Sequence, residues 1–448
     1  TGGELLGTAN VTLANPLALT ETFTIAAAHG TTLELNGSGW TLNETDGGTA
    51  FFGAAGQDGT VLWHTNGGFA VNAPSGGSLP AATVEVQAGT LKGADASFSI
   101  LFGDSATTIV DAGAKIDING SFVPFVNLSG GGTVTDSGAA ATVTLQAVDF
   151  AGVISGAIGL DIADVAGSTT AGATLSGTNT YTGTTKIESG QTLTLGNGGT
   201  TGSVLGASAI DDEGTLTINH SNAVTLSNAI SGAGTLDQKG TGTTTINHAN
   251  SYSGGTTIFH GTLAVGDGGA LGGGIIAFAG GELLATADET LANTLSTLFS
   301  ADTIAAAHGK TLNLGAGGAF VHQARLTFGA AGQDGTVVWQ ATSGNTTNTA
   351  TSVEVAAGTL KAGADGLSTL LSGAGTTTVD AGATLDLNGY STTITNLHGA
   401  GTIANSGAGV TFFVGGGDFS GTVEGSTLGL GVTGATTFSG AVTLGLGA

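Results

Sequence analysis

No segment between Gly232 and Gly274 is long enough to fold alone. The stretch reads GAGTLDQKGTGTTTINHANSYSGGTTIFHGTLAVGDGGALGGG, and glycine-containing turns separate its β-prone bursts, Thr235–Asp237, Thr243–Asn247, Thr256–Phe259 and Thr262–Val265. Bursts this short can neither nucleate a stable helix nor hold an isolated sheet. Each must stack on a neighbour to bury its aliphatic side chains. Similar bursts fill all 448 residues, so one stacking constraint governs the whole chain.

Three sections follow one another. In the first, roughly 1–170, the words Val11-Thr12-Leu13, Thr31–Leu35, Thr83–Val86, Ile109–Asp111, Lys115–Ile118 and Ala141–Leu145 alternate as half-buried strands do. Asn36-Gly37, Asp58-Gly59, Asn66-Gly67 and Asn119-Gly120 suit turns with positive φ. Helical words are short, such as Ile25–His29, and need packing to support them. The second section, about 171–275, is richer in Thr and Gly and holds two related copies of one word, Leu175–Gly199 and Ile246–Gly269. An aromatic-Ser/Thr-Gly element recurs at Tyr181-Thr182-Gly183, Tyr252-Ser253-Gly254, Phe419-Ser420-Gly421 and Phe438-Ser439-Gly440.

The third section, about 276–448, repeats the first. Gly3-Glu4-Leu5-Leu6 returns at Gly281–Leu284, and the word FGAAGQDGTV of Phe52–Val61 returns unaltered at Phe328–Val337. Ala88–Lys92 returns at Ala357–Lys361, and Val110–Ala114 at Val379–Ala383. This is a superrepeat of roughly 270–280 residues built of smaller repeats. The chain starts on Thr1 without methionine or a signal peptide, so it reads as an internal or processed segment.

Composition excludes several function classes. The net charge is −25, from 32 acidic residues against seven basic ones, and Arg325 is the only arginine. Nucleic-acid binding needs clustered Lys and Arg, and anionic membranes would repel this chain. No apolar run reaches the length of a transmembrane helix. Cysteine is absent, so ladders and packing must hold the fold without disulfides.

Among all-β architectures a propeller lacks its blade signature here, and a sandwich lacks linkers. The expected fold is a right-handed parallel β-helix, a β-solenoid of short Gly/Thr-rich coils of about 20 residues, running through all three sections as one continuous solenoid. Inward Leu, Val, Ile and Ala would fill its core, and outward Thr and Ser would stack in ladders.

The Gly232–Gly274 stretch resembles the autotransporter-associated β-strand repeat of passenger domains in type V secreted bacterial proteins. The matching residues are Gly234-Thr235-Leu236, Lys239-Gly240, Gly242, Ala249-Asn250, Tyr252–Thr257 and Gly261-Thr262-Leu263. Leu175–Leu195 matches through Thr178–Gly183 and Gly190–Leu193. The resemblance implies an exported β-helical surface stalk with an adhesin-like role, extracellular or at the bacterial surface, held to the outer membrane through a part outside this chain. A host or abiotic surface, glycans or copies of itself are the expected partners.

Reactive chemistry is sparse. Asp58 and Asp334 share a place in the duplicated word, where Asp-Gly is read as a turn and Phe and Val as core. Asp211-Asp212-Glu213 is the one dense acidic run, read as an exposed corner and not as a calcium site, which would need six or more converging oxygens. His29 and His308 correspond between copies while the other six histidines do not, and no paired-histidine motif or Ser/His/Asp constellation emerges. Trp40, Trp63, Trp339 and the phenylalanines could stack on sugars if exposed, but are read as corner or core residues. No catalytic, cofactor or metal residue is therefore expected. The leading function is a noncatalytic adhesive stalk or fibre; a self-assembling filament subunit and a β-helical polysaccharide-degrading enzyme are the alternatives.

Overall fold

The structure is a computed structural model, which describes residues 3–15, 17–20, 22–37, 40–43, 48–64, 69–71, 83–103, 107–164, 172–204, 208–298, 301–322 and 325–444. The turn expected at Asn66-Gly67 and the side chain of Trp40 lie outside that set. The chain divides into two compact units, Thr1–His220 with Asn228–Gly234, and Ser221–Ser227 with Thr235–Ala448. Each is a parallel β-solenoid.

In the first unit the strand Lys115–Asp117 pairs in parallel with Thr90–Gly93 on one side and with the start of Thr133–Phe150 on the other. That strand thus takes its hydrogen bonds from the coil before and the coil after. Register places Leu91, Ile116, Val134 and Ile154 in one inward column, all essentially unexposed. Burying each such side chain contributes about 1.5–3 kcal/mol. In the second unit the strands Thr311–Leu314, Thr336–Trp339, Thr359–Ala362, Thr384–Asp386, Thr402–Ala404 and Thr422–Gly425 all begin on threonine. Those six threonines face one another in sequence along the ladder, half-buried. Each facing pair adds about 0.2–1 kcal/mol. The step between paired residues is 20 at Thr402/Thr422 but 27 at Arg325/Ser352, because longer coils carry extra residues between their strands.

The two arms of the superrepeat fold alike, and both replace one strand by a helical turn. Ala96–Phe102 is a 3-10 helix and Gly366–Gly373 an α-helix. Each follows an aspartate, Asp95 or Asp365, and buries residues spaced as a helix face requires: Phe98, Leu101 and Phe102 in one, Leu367, Leu370 and Leu371 in the other. Phe102 packs edge-on against Phe98 and Phe125, each 5.1 Å away. The expected helical word Ile25–His29 is not helical. Phe23–Ala27 is a strand, held on both sides by Gly3–Gly7 and Thr49–Phe52.

The duplicated FGAAGQDGTV word is a turn with its apolar ends in the core, as expected: Phe52, Val61, Phe328 and Val337 are all at most 2 % exposed. The turn itself sits earlier than Asp-Gly. Gln57 N–H closes on the Ala54 carbonyl at 2.8 Å, and the positive φ belongs to Gly56 (78°) and, in the second arm, Gly332 (78°). Gly59 and Gly335 keep ordinary φ; a Cβ there would overlap carbonyl oxygens of the preceding coil. Asn119-Gly120 does take the positive-φ turn, at 48° and 82°. Trp63 and Trp339 are buried, each meeting a phenylalanine edge-on.

The aromatic-Ser/Thr-Gly word marks where two coils press together. Tyr181 and Tyr252 are wholly buried, and their hydroxyls bond Thr185 Oγ1 at 2.7 Å and Thr256 Oγ1 at 2.6 Å. Burial pushes the Tyr181 phenol well above its ordinary value, so it stays protonated throughout the physiological range. Replacing Tyr252 by Phe should destabilise the second unit by about 1–2 kcal/mol, because the buried Thr256 hydroxyl loses its partner. Urea denaturation followed by circular dichroism would register this as a lower midpoint at unchanged slope.

The acidic run differs from expectation. Ile210–Asp212 is a strand whose alternation turns Asp212 inward, fully buried, while Asp211 is half-buried and Glu213 exposed. Asp212 Oδ1 accepts the Gly214 N–H at 3.0 Å, and Oδ2 is buried without a partner. Burial pushes this carboxyl up to about 6, against 3.8 ordinarily, despite the hydrogen bonds from Gly214 and Leu216. The folded state therefore binds a proton that the unfolded chain has released, and stability falls as pH rises through the interval between those values. Replacing Asp212 by Asn keeps an acceptor for Gly214 and removes the charge. It should raise stability by about 3 kcal/mol at pH 7 and by almost nothing at pH 3.5. Chemical denaturation at the two pH values checks this; equal gains at both would contradict it.

Candidate functional site

The most elaborate polar clusters lie at one corner, present in both arms. In the first, Lys92 comes from the strand Thr90–Gly93, Asp117 ends the strand Lys115–Asp117 on the next coil, and Ser137 lies on the coil after that. Lys92 Nζ meets Asp117 Oδ2 at 2.9 Å and Ser137 Oγ at 2.6 Å, and Ser137 donates its own hydroxyl to Asp117 Oδ2 at 2.7 Å. The Ser137 and Asn119 N–H groups donate to Asp117 Oδ1 at 3.0 and 3.1 Å. In the second arm Lys361, Asp386, Ser406 and Asn388 repeat the pattern, with Lys361–Asp386 at 3.2 Å and Ser406–Asp386 at 2.6 Å. Asn119 and Asn388 are the non-glycine residues of positive φ among the described residues, and each ties back to the preceding coil through Gly93 O or Ala362 O.

This cluster is a clamp across three coils. Burial alone would raise Asp117 and Asp386, but the serine bonds and the lysine outweigh it and hold both carboxyls below their ordinary value. Each carboxylate is saturated by donors, and each serine hydroxyl is committed to it. Neither serine is placed to act as a nucleophile.

The duplicated aspartates acquire partners that sequence spacing does not disclose. Asp58 shares a hydrogen bond with His29, and Asp334 with His308, both at 2.8 Å and across adjacent coils. The histidines are 86 % exposed in both arms, so these are surface staples worth little each. His398 and Asp418 likewise touch, in a groove of about 450 Å³ that also holds Asp380, Ser420 and Ser439. The types of a Ser-His-Asp triad are thus brought together, but Ser420 donates its hydroxyl to Gly399 O at 3.2 Å and Asp418 is 79 % exposed. That geometry does not build an activated nucleophile.

Another groove, of about 460 Å³, lies where Asp161, Lys186 and Asp211 follow one another along a ladder, above a floor of Ala141, Ala157, Gly159 and Gly183. Burial and the nearby Glu188 push the Asp161 carboxyl up, against the pull of Lys186. Lys186 itself pairs with Glu188 at 2.5 Å. Asp211 lines this groove while Asp212 faces the core and Glu213 the solvent, so the acidic run does not converge on one site. Arg325 pairs with Glu354 on the neighbouring coil. Among the described residues no three His, Asp or Glu side chains gather so as to hold a metal ion, and no helix is long and apolar enough to cross a membrane.

Residues 173–195 and 236–265 match the Passenger-associated-transport-repeat family. Both stretches contain the buried tyrosine–threonine pairs described above. The chain is also 34 % identical over 177 residues to the adhesin BmaC autotransporter of Brucella suis biovar 1 (strain 1330), a match covering 32 % of this chain and 5 % of that protein. The chain thus spans a small fraction of its curated relative. No solved structure matches it. Through these two matched stretches, which fold as stacked coils, the chain carries repeats of the kind found in autotransporter passenger domains.

Proposed function

We propose that the chain is a noncatalytic, adhesive segment of a bacterial surface or extracellular protein, acting as a rigid stalk that carries contact residues on its coil corners. The observation that carries this reading is the coil-to-coil clamp duplicated in both arms. Lysine, aspartate, serine and asparagine are spent on tying three coils together, and among the described residues no cluster that could hold a metal ion accompanies them. A scaffold so built resists bending at the places where a ligand would pull on it. The adhesin named among its relatives, similar over part of the chain, supports the same reading. The strongly acidic composition fits an extended β surface that must stay soluble outside the cell.

Beads coated with the purified chain should attach to epithelial cells or extracellular-matrix films well above beads coated with an unrelated acidic protein. Attachment should survive replacement of Asp211, Asp212 and Glu213 together by Ala. No attachment to any surface, or release of sugar fragments from polysaccharide that this triple replacement abolishes, would overturn the reading. Negative-stain images should show separate rods of one length at all concentrations; fibres that lengthen with concentration would favour a self-assembling filament instead.

A further inference from the structure

The two arms share a corner and dress it differently. In both, an Asn-Gly turn closes over the clamp. In the second arm the next residue is Tyr390, half-buried, whose hydroxyl donates to Gly363 O on an earlier coil at 3.3 Å, so its ring lies across the corner. In the first arm Ser121 stands in that place and donates to Asp95 O at 3.2 Å. With no ring across it, the first corner opens into a groove of about 460 Å³, lined by Ala94, Asp95 and Ser99 of one coil and Asn119, Ser121 and Phe122 of the next. Phe122 follows the turn and is 53 % exposed, whereas its counterpart in the second arm is Ser391.

We infer that this groove is a sugar-binding subsite in which the exposed face of Phe122 stacks on a neutral pyranose ring. Three observations converge on that chemistry. An aromatic ring beside a cleft offers a flat apolar face to the C–H side of a sugar. The cleft offers acceptors: Ser99 and Ser121, whose hydroxyl hydrogens go to backbone carbonyls, retain oxygen lone pairs for a ligand's hydroxyls, beside the Asp95 carboxylate, which already accepts from Ser97 through Oδ1 and lies 3.8 Å from His64 through Oδ2. Asp95 in the lining and a net charge of −25 disfavour sialylated, sulfated or uronic sugars, leaving hydroxyl-rich neutral ones. The groove's volume falls within the range of small-ligand sites, about 300–1,000 Å³. The inference rests on the adhesive reading and names one of its contacts.

Saturation-transfer NMR with the whole chain and neutral tetrasaccharides of glucose, galactose and N-acetylglucosamine tests it. At least one probe should bind, Phe122→Ala should weaken it about tenfold or more, and Phe122→Trp should preserve it. Phe413→Ala, which removes another exposed phenylalanine, should leave binding unchanged, and circular dichroism should show all three variants folded. Absence of binding by every neutral probe, equal binding by Phe122→Ala, or preference for a sialylated or uronic probe would overturn the inference. Loss of sugar binding in Phe122→Ala with bead attachment intact would uphold the subsite while locating adhesion elsewhere. Attachment without any sugar binding would sink the subsite and leave the adhesive reading standing.

Discussion

Everything in these solenoids depends on how closely one coil's backbone approaches the next. Parallel ladders satisfy each strand's N–H and C=O groups only through neighbouring coils, so the strand spacing of about 4.8 Å is imposed along the entire stack. Where the chain also turns at that spacing, a side chain has nowhere to go. A Cβ on Gly152 would overlap the Gly132 carbonyl, and one on Gly177 would overlap that of Gly152. Gly401, Gly421 and Gly440 form the same kind of column in the second arm. Glycine serves here less as a source of positive φ than as the residue that lets two corners touch.

That spacing explains the division of labour between inside and outside. Inward positions receive one aliphatic side chain per strand spacing, which fills a narrow core with Leu, Ile and Val in columns such as Leu91–Ile116–Val134–Ile154. Outward positions receive threonine, whose β-branch suits an extended backbone and whose hydroxyl is satisfied by solvent or a neighbour. With the described strands tied into ladders, the fold is held without disulfides. Longer coils are tolerated because extra residues leave the ladder between strands and rejoin it in register, as between Arg325 and Ser352.

Much of this was legible in the residues themselves. Alternation located Thr83–Val86 and Thr262–Val265 as strands with the bounds they take in the structure, and the repeated words pointed to the passenger-associated repeat. What escaped reading depended on the third dimension. Ile25–His29 carries a helix-like composition, yet its neighbours on both sides offer ladder partners, and pairing overrides propensity. The helices at Ala96–Phe102 and Gly366–Gly373 are short enough to hide, although each follows an aspartate and spaces its apolar residues at three and four. Asp212 looked like part of an exposed acidic run because adjacent letters do not say which face of a strand each occupies. One more residue of alternation decides it, and the result is a buried carboxyl beside a half-buried one. The Lys-Asp-Ser clamp spans three coils, so its members stand far apart in sequence. Only the recurrence of Ala88–Lys92 as Ala357–Lys361 hinted that Lys92 matters.

The duplication separates what the scaffold requires from what it carries. Both arms keep the clamp, the buried tryptophan and the helical insertion, and these are the features that hold coils in register. At the corner beside the clamp they part: a tyrosine lies across it in one arm, while the other has an open cleft with a phenylalanine at its edge. Since the clamp is the same in both, packing beneath the corner does not dictate that difference. Coil corners are thus where such a chain can change its surface without disturbing the ladder. A solenoid built this way gains new contacts by substitution at single corners, each supported by a backbone already fixed by its neighbours. Coil-to-coil cohesion and surface variety then come from different residues, so a change in one need not weaken the other.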